Sequence, residues 1–398
     1  MRKLLALMAM SAMILTLAST VSAADKKLII GLAVAQSGWM TAYDGDPSLA
    51  IQVAVDDFNQ KGGILGHQIE LVWADTKSDP TQAGNAATEV LEKGAQFLLA
   101  SCDFDQGGAA AVVAQEKGVL VMSVCSGSPK WGPIGVGDLA FSTGHAAQAD
   151  GYLLAEWAFK SRGWKTAYML RDTTLTYTRS QCFGFEQRWR EVAGDAALLG
   201  IDEFKNADPS IATQIARIKA LKTPPEVLFI CSYVPGGATA IRQIRAAGLN
   251  QPMMTGVAMD GEYWLEGVPG LKNFYVPIPG NVFGFDPSKE VNDLVERFKT
   301  KHGKPPATSL AIFGYRAMQM YKVAAERAGT LDSQMVRKEM ESFKDEPVMG
   351  GIATFDKDIH IQNRIRALIN EVKDGKMQST GEYYTSEKAV PIDMLFKE

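Results

Sequence analysis

Aromatic rings, small hydroxyls and isolated carboxylates share a few short segments of this sequence. Trp39 and Tyr43 stand close together, Asp103 precedes Phe104, and Cys125-Ser126-Gly127-Ser128 is a run of small residues; Tyr177, Tyr233 and Asp260 stand singly. Such a mixture suits a pocket that grips a polar head and covers an apolar body. Ser126, Gly127 and Ser128 can hold a carboxylate through hydroxyls and backbone N–H groups. Asp103, Asp172 and Asp260 can pair with an ammonium group. Each has a plainer reading: an aromatic plugging its loop, a turn before Pro129, an aspartate capping a helix.

Catalysis finds less support. The chain holds no G-x-S-x-G, no H-E-x-x-H and no G-x-x-x-x-G-K-[ST], and its four histidines, His67, His145, His302 and His360, are scattered. Gly135-x-Gly137-x-x-Ala140 spells a dinucleotide word, yet it follows Pro133 rather than a strand. No catalytic residue, metal site or cofactor is expected. Cys102, Cys125, Cys182 and Cys231 form no C-x-x-C pair, so zinc and thioredoxin chemistry are poor readings. Their order along the chain suggests one bridge per half, Cys102 with Cys125 and Cys182 with Cys231; free buried thiols are the alternative.

Alternating strand and helix signals must position these residues. The apolar run 28–34 reads as a strand; Asp46-Pro47 then opens a helix that Gly62-Gly63 stops. The unit repeats with strand 68–74, a helix opened by Asp79-Pro80, strand 97–100, a helix over 107–117 and strand 119–123. A second set follows Ser142, with strands 166–170, 227–230 and 253–255 among helices. The pattern turns mainly helical over 286–343 and ends in strands 352–355, 365–372 and 382–385. Such alternation predicts an α/β protein of two doubly wound, three-layer halves. In doubly wound sheets a ligand lies at the carboxyl ends of the strands. That rule selects loops 36–43, 101–105 and 124–131 from the first half and 171–178, 232–237 and 257–264 from the second. Trp131 and Trp264 lie in these loops and join the candidate walls.

Compartment and partners follow from the ends and the charge. Arg2 and Lys3 precede an apolar run over 4–17, and Val21-Ser22-Ala23 offers small residues, so residues 1–23 read as a signal peptide cleaved after Ala23 or Ala24. A soluble periplasmic protein is expected. The chain carries 41 basic and 45 acidic residues, for a net charge of −4. With no basic block after Lys3, a nucleic-acid partner is excluded as a reading.

The stretch 30–94 resembles the opening of type I periplasmic binding proteins of the branched-chain amino acid (leucine/isoleucine/valine) group. The matching words are Ser37-Gly38 with Tyr43, Asp56-Asp57-Phe58-Asn59 running into Gly62-Gly63-Ile64-Leu65-Gly66, Ser78-Asp79-Pro80, and Leu91 with Gly94. Weaker likeness continues through 118–123, 225–233 and 303–317. The resemblance implies two lobes joined by three crossovers near 141–144, 276–279 and 350–353. Lobe 1 would comprise 24–142 plus 279–350, and lobe 2 would comprise 143–278 plus 351–398. It further implies hinge closure on a small solute, an amino acid or related carboxylate, delivered to an ABC permease in the inner membrane; a solute sensor for a chemoreceptor or kinase is the other use of the same shape. The family motif places a ligand-facing tyrosine at Tyr43, and Tyr177 and Tyr233 sit near positions where relatives use tyrosines. Two departures stand out. Ser101-Cys102-Asp103-Phe104-Asp105 replaces a run of small Ser and Thr residues, and Trp39 stands where proline is common. Both add bulk or charge where the solute's head group should lie, which opens the site to an aromatic or other organic acid.

Overall fold

The computed structural model describes residues 26–398; the expected signal peptide lies outside them. The first lobe is built on strands β1 (Lys27–Val34), β2 (Gln68–Asp75), β3 (Phe97–Ala100), β4 (Leu120–Ser123) and β5 (Ala140–Ser142), a five-stranded sheet in the order β2-β1-β3-β4-β5. Every pairing is parallel, Ile30 opposite Leu71 on one side of β1 and Phe97 on the other. A parallel sheet is covered on both faces, which is why β3 and β4 read as unbroken apolar runs and are buried throughout.

Helices α1 (Thr41–Asn59), α2 (Pro80–Glu92) and α3 (Phe104–Glu116) connect these strands. On one face α2 and α3 present alanines, Ala83, Ala86, Ala87, Ala110, Ala111 and Ala114, against Ala33 and Ala100. Small side chains let these helices sit close. On the other face α1 shares its core with three helices from far along the chain, α8 (Lys289–His302), α9 (Ala311–Ala328) and α10 (Ser333–Glu341). The helical block therefore returns to the first lobe.

The second lobe comprises β6 (Ala167–Asp172), β7 (Leu198–Phe204), β8 (Val227–Cys231), β9 (Met253–Met254), β10 (Phe274–Ile278), β13 (Arg366–Lys373) and β14 (Lys376–Thr385). They form a seven-stranded sheet in the order β14-β13-β10-β9-β8-β6-β7, in which only β13 runs against the rest and pairs antiparallel with β10 and β14. Helices α4 (Ala147–Glu156) and α5 (Thr176–Ala193) cover one face through Tyr152, Phe185 and Trp189. Helices α6 (Ala212–Lys219) and α7 (Gly236–Ala246) cover the other through Ile215, Ile241 and Ile244. The architecture is the expected one: two doubly wound lobes.

The chain passes between lobes after β5, after β10 and after the hairpin of β11 (Glu346–Val348) and β12 (Gly351–Ala353). The first and third crossings run side by side, with Ser142 N–H on His360 O at 3.0 Å and Ala146 N–H on Gln362 O at 2.8 Å. Ala353 and Phe355 are buried in the first lobe's core. The third crossing thus lies beyond the expected 350–353, because the hairpin docks its apolar residues before the chain leaves.

Two helix starts differ from expectation. Asp79 caps α2 as its sequence implies, accepting from Thr81 N and Gln82 N at 2.8 and 3.0 Å with Pro80 in the first turn. Helix α1 instead begins at Thr41 and carries Pro47 inside it. Tertiary bonds hold that early turn: Ser78 Oγ accepts from Met40 N, and Asp44 accepts from Ala35 N, Cys102 N and Ser101 Oγ. Asp46 does not cap; it accepts from Thr308 N and Oγ1. Helix α5 begins at Thr176, inside the selected loop 171–178, so Tyr177 lies on its first turn.

Candidate functional site

The carboxyl ends of β1, β3 and β4 face those of β6, β8 and β9, and the loops there enclose a space of about 440 Å³, part of it open to solvent. Lobe 1 contributes Trp39, Met40, Tyr43, the Cys102–Asp103 pair, Cys125, Gly127 and Leu310; lobe 2 contributes Leu175, Tyr177, Tyr233, Val257 and Ala258.

Seven sequence candidates meet here: Trp39, Tyr43, Asp103, Cys125, Gly127, Tyr177 and Tyr233. Phe104 does not; its ring lies edge-on to Trp131 at 6.2 Å with Lys130 Nζ over it at 5.6 Å. Ser126 also stands behind the wall. Its N–H goes to Ser123 Oγ, its hydroxyl accepts from Ser128 N and its carbonyl accepts from Ser142 Oγ at 2.6 Å, a capped turn rather than an open donor. Trp131 is fully buried in the first lobe, and Trp264 donates to Met259 O within the second. Cys102 was expected only as a bridge partner, and Met40, Leu175, Val257, Ala258 and Leu310 were not singled out. Most fall in the selected loops, but Leu310 opens α9 and arrives from the returning helical block, for which the sequence carries no local signal.

Contacts across the gap show the lobes closed. The Tyr43 hydroxyl accepts from Val234 N at 3.1 Å and donates to Ala258 O at 3.2 Å, so one side chain of lobe 1 holds two backbone groups of lobe 2. Trp39 lies 5.4 Å from the Tyr233 ring. Asp105 accepts from Thr176 N and Oγ1 at 2.9 and 3.0 Å. Asp260 is no ligand contact in this form: its carboxylate accepts from Ser309 N and Oγ, both at 2.6 Å, binding a loop of lobe 2 to lobe 1. Burial lifts its pKa to about 6 against the pull of those bonds.

The cavity is electrostatically one-sided. Among the described residues, Asp103 is its only lining side chain besides the tyrosines that can ionise, and no Lys, Arg or His lines it. Asp103 caps α3, accepting from Asp105 N at 2.9 Å. Burial first, then the neighbouring Asp105 charge, lifts its pKa to about 7. The Tyr233 hydroxyl is pushed up by burial and by the charges of Asp172, Asp103 and Asp105, and the Tyr177 hydroxyl by burial and Asp150. Burial is the larger cause for both phenols, and the neighbouring carboxylates add to it. The Gly127 N–H has no hydrogen-bond partner among the described residues. Asp172 is consumed internally, accepting from Ser232 Oγ, Asn206 Nδ2 and Thr174 N.

Cys102 and Cys125, which follow adjacent strands, are disulfide-bonded with Cα atoms 4.5 Å apart, so a bridge forms part of the cavity wall. Cys182 and Cys231 are bonded within lobe 2, with Cα atoms 5.7 Å apart.

Two hinged α/β lobes closed over a solute-sized gap define a solute-binding protein. Residues 27–376 match the family model described as periplasmic binding protein, and the chain belongs to that family. The family binds solutes rather than transforming them, and its description as periplasmic implies that location. The chain is 24% identical to the Leu/Ile/Val-binding protein BraC3 of Rhizobium johnstonii over 83% of its own length and 88% of that protein's. It is also 24% identical to the leucine-, isoleucine-, valine-, threonine- and alanine-binding protein of Pseudomonas aeruginosa, over 86% and 89%. Among solved structures, the branched-chain amino acid transporter substrate-binding protein LivJ of Streptococcus pneumoniae, in complex with isoleucine, superposes with a TM-score of 0.77 at 20% identity, covering 90% of this chain and all of that one. An ABC transporter solute-binding protein of R. palustris in complex with benzoate gives 0.74 at 17% identity, covering 92% and 99%. At these identities the structures speak for the fold.

Proposed function

We propose that this protein is the substrate-binding component of an ABC importer and that its solute is a zwitterionic amino acid with an apolar side chain. The carrying observation is the sign of the cavity lining: Asp103 is its one ionisable side chain besides the tyrosines among the described residues, no Lys, Arg or His lines it, and Asp105 and Asp172 act on the Tyr233 phenol. A buried carboxylate needs a partner. An ammonium group supplies one, whereas a simple carboxylic acid, such as the benzoate bound by the R. palustris protein, would meet no base. The solute's carboxylate is served by backbone donors, of which Gly127 N–H is free. Its side chain faces Trp39, Leu175, Tyr177, Tyr233 and Leu310.

Closure couples binding to transport. A solute held by loops of one lobe favours the closed form because only that form brings the second lobe onto it. The closed outline is then what a permease would read.

Matched pairs test the reading. Phenylalanine against 3-phenylpropanoate, and leucine against 4-methylpentanoate, differ by one ammonium group. Calorimetric titration should give saturable binding for at least one amino acid and none for its deaminated partner. Binding of the deaminated acids with equal affinity would remove the ammonium from the argument.

A further inference from the structure

The three crossings leave a second opening, a groove of about 1440 Å³, part of it open to solvent, separate from the interlobe cavity. His145 of the first crossing, Pro279 of the second and Gln362 of the third all line it, so it lies on the hinge itself. Its remaining lining comes from both lobes, with Arg316 on α9 of lobe 1 and Arg366 on β13 of lobe 2.

Charge sets this groove apart. Arg316, Arg364 and Arg366 line it against a single carboxylate, Asp345, and none of the three arginines forms an ion pair among the described residues. Arg316 is buried. Its Nε donates to Met349 O at 2.8 Å and its Nη1 to Thr143 O at 3.3 Å, and its guanidinium lies 4.8 Å from the Phe313 ring centre. Those carbonyls and that ring satisfy hydrogen bonds and packing without cancelling the charge. Desolvation, with no acid to offset it, draws the Arg316 pKa down to about 10. Gly350, at φ +71°, leaves space beside the remaining nitrogen: a Cβ there would stand 3.1 Å from Arg316 Nη2. Arg364 spends only Nε, on Ser386 O at 2.8 Å, and Arg366 stacks over Tyr383 at 4.1 Å with no side-chain hydrogen bond among the described residues. Asp345 is itself engaged with the Thr354 hydroxyl.

We propose that the hinge groove is a second binding site, for a small multivalent oxyanion, a phosphate or a di- or tricarboxylate, that Arg316 of lobe 1 and Arg364 and Arg366 of the lobe 2 side hold between them. Planar guanidinium forks suit such oxygens. Because the site draws on both lobes and all three crossings, an anion bound there meets a different geometry in the open and closed forms. By linkage it shifts the balance between them.

The test uses the full mature protein with inorganic phosphate and citrate as probes, titrated calorimetrically at constant ionic strength in chloride. Saturable binding of at least one probe is expected, with citrate tighter if the natural ligand is a polycarboxylate and phosphate tighter if it is a phosphate. Arg364→Gln combined with Arg366→Gln, both on the outer side of the groove, should weaken it about tenfold or more with an unchanged melting temperature. Arg316→Lys, which keeps the charge and removes the fork, should weaken it as well. The radius of gyration from small-angle scattering should change on saturation. Absence of saturable binding of either probe up to about 10 mM, or affinity unchanged in the double variant, overturns the site; binding with no change in radius of gyration overturns the bridging between lobes. No cleft solute enters these titrations, so their failure leaves the interlobe reading standing.

Discussion

Replacing Asp103 with Asn should move binding and stability in opposite directions. Asn caps a helix about as well as Asp, so α3 keeps its N-terminal bonds while the cavity loses its only lining carboxylate among the described residues. A charge-assisted hydrogen bond to an ammonium group is worth about 1.5–3 kcal/mol, so affinity for a zwitterionic solute should fall roughly 10- to 150-fold. In the wild type the carboxyl titrates at about 7. It is then about nine-tenths ionised at pH 8 and one-tenth at pH 6, and binding should weaken about tenfold between them. The variant should lack this dependence. For the free protein the sign reverses. A folded-state pKa raised above the ordinary carboxylate value means that folding takes up a proton, so this group's contribution to stability declines as pH rises from about 4 to about 7 and is level beyond. The Asp103→Asn protein carries no such loss. Its melting temperature should exceed the wild type's at pH 8 and approach it near pH 4. Calorimetric titration at the two pH values and differential scanning calorimetry across the range give both signs. Wild-type affinity independent of pH from 6 to 8, or unaltered binding by the variant, would refute the pairing.

Tyr43→Phe removes one hydroxyl that makes two interlobe hydrogen bonds and keeps the ring. At about 0.5–1.5 kcal/mol each, the closed form should lose about 1–3 kcal/mol, read as a 5- to 150-fold weaker solute affinity; a change under about twofold would show that the hydroxyl is not a latch. Trp39 is 37% exposed and, among the described residues, is the only tryptophan lining the cavity. Solute should therefore change the protein's tryptophan emission, and Trp39→Phe should abolish most of that change; a full response in the variant would place the reporter elsewhere. Thiol labelling of the denatured, unreduced protein should find no free cysteine. Replacing both Cys182 and Cys231 with Ser, which opens a loop 49 residues long, should cost about 4 kcal/mol by chain entropy, measured by urea unfolding.

The alternation of buried strands and helices was open to reading because parallel strands are covered on both faces and helices start at local caps such as Asp79-Pro80. The loop rule then found most of the cavity, since every loop at a strand's carboxyl end is marked by the strand before it. What escaped depends on distant partners. Pro47 sits inside α1 because Asp44 and Ser78 fasten its first turn to other loops. Asp260 looks like an ammonium partner in its own segment, and only the return of the helical block brings Ser309 onto it. Leu310 reaches the cavity by the same return. Asp103 combines both readings, a helix cap whose outer edge also faces the gap.

Two of the bonds by which Tyr43 holds lobe 2 go to main-chain atoms, the amide of residue 234 and the carbonyl of residue 258. Any residue but proline at 234 offers that amide, and any residue at 258 offers that carbonyl. The side chains that shape the guest's surroundings can therefore drift over generations while the shutting device stays intact. A lineage built this way can acquire new cargo without reinventing how it grips.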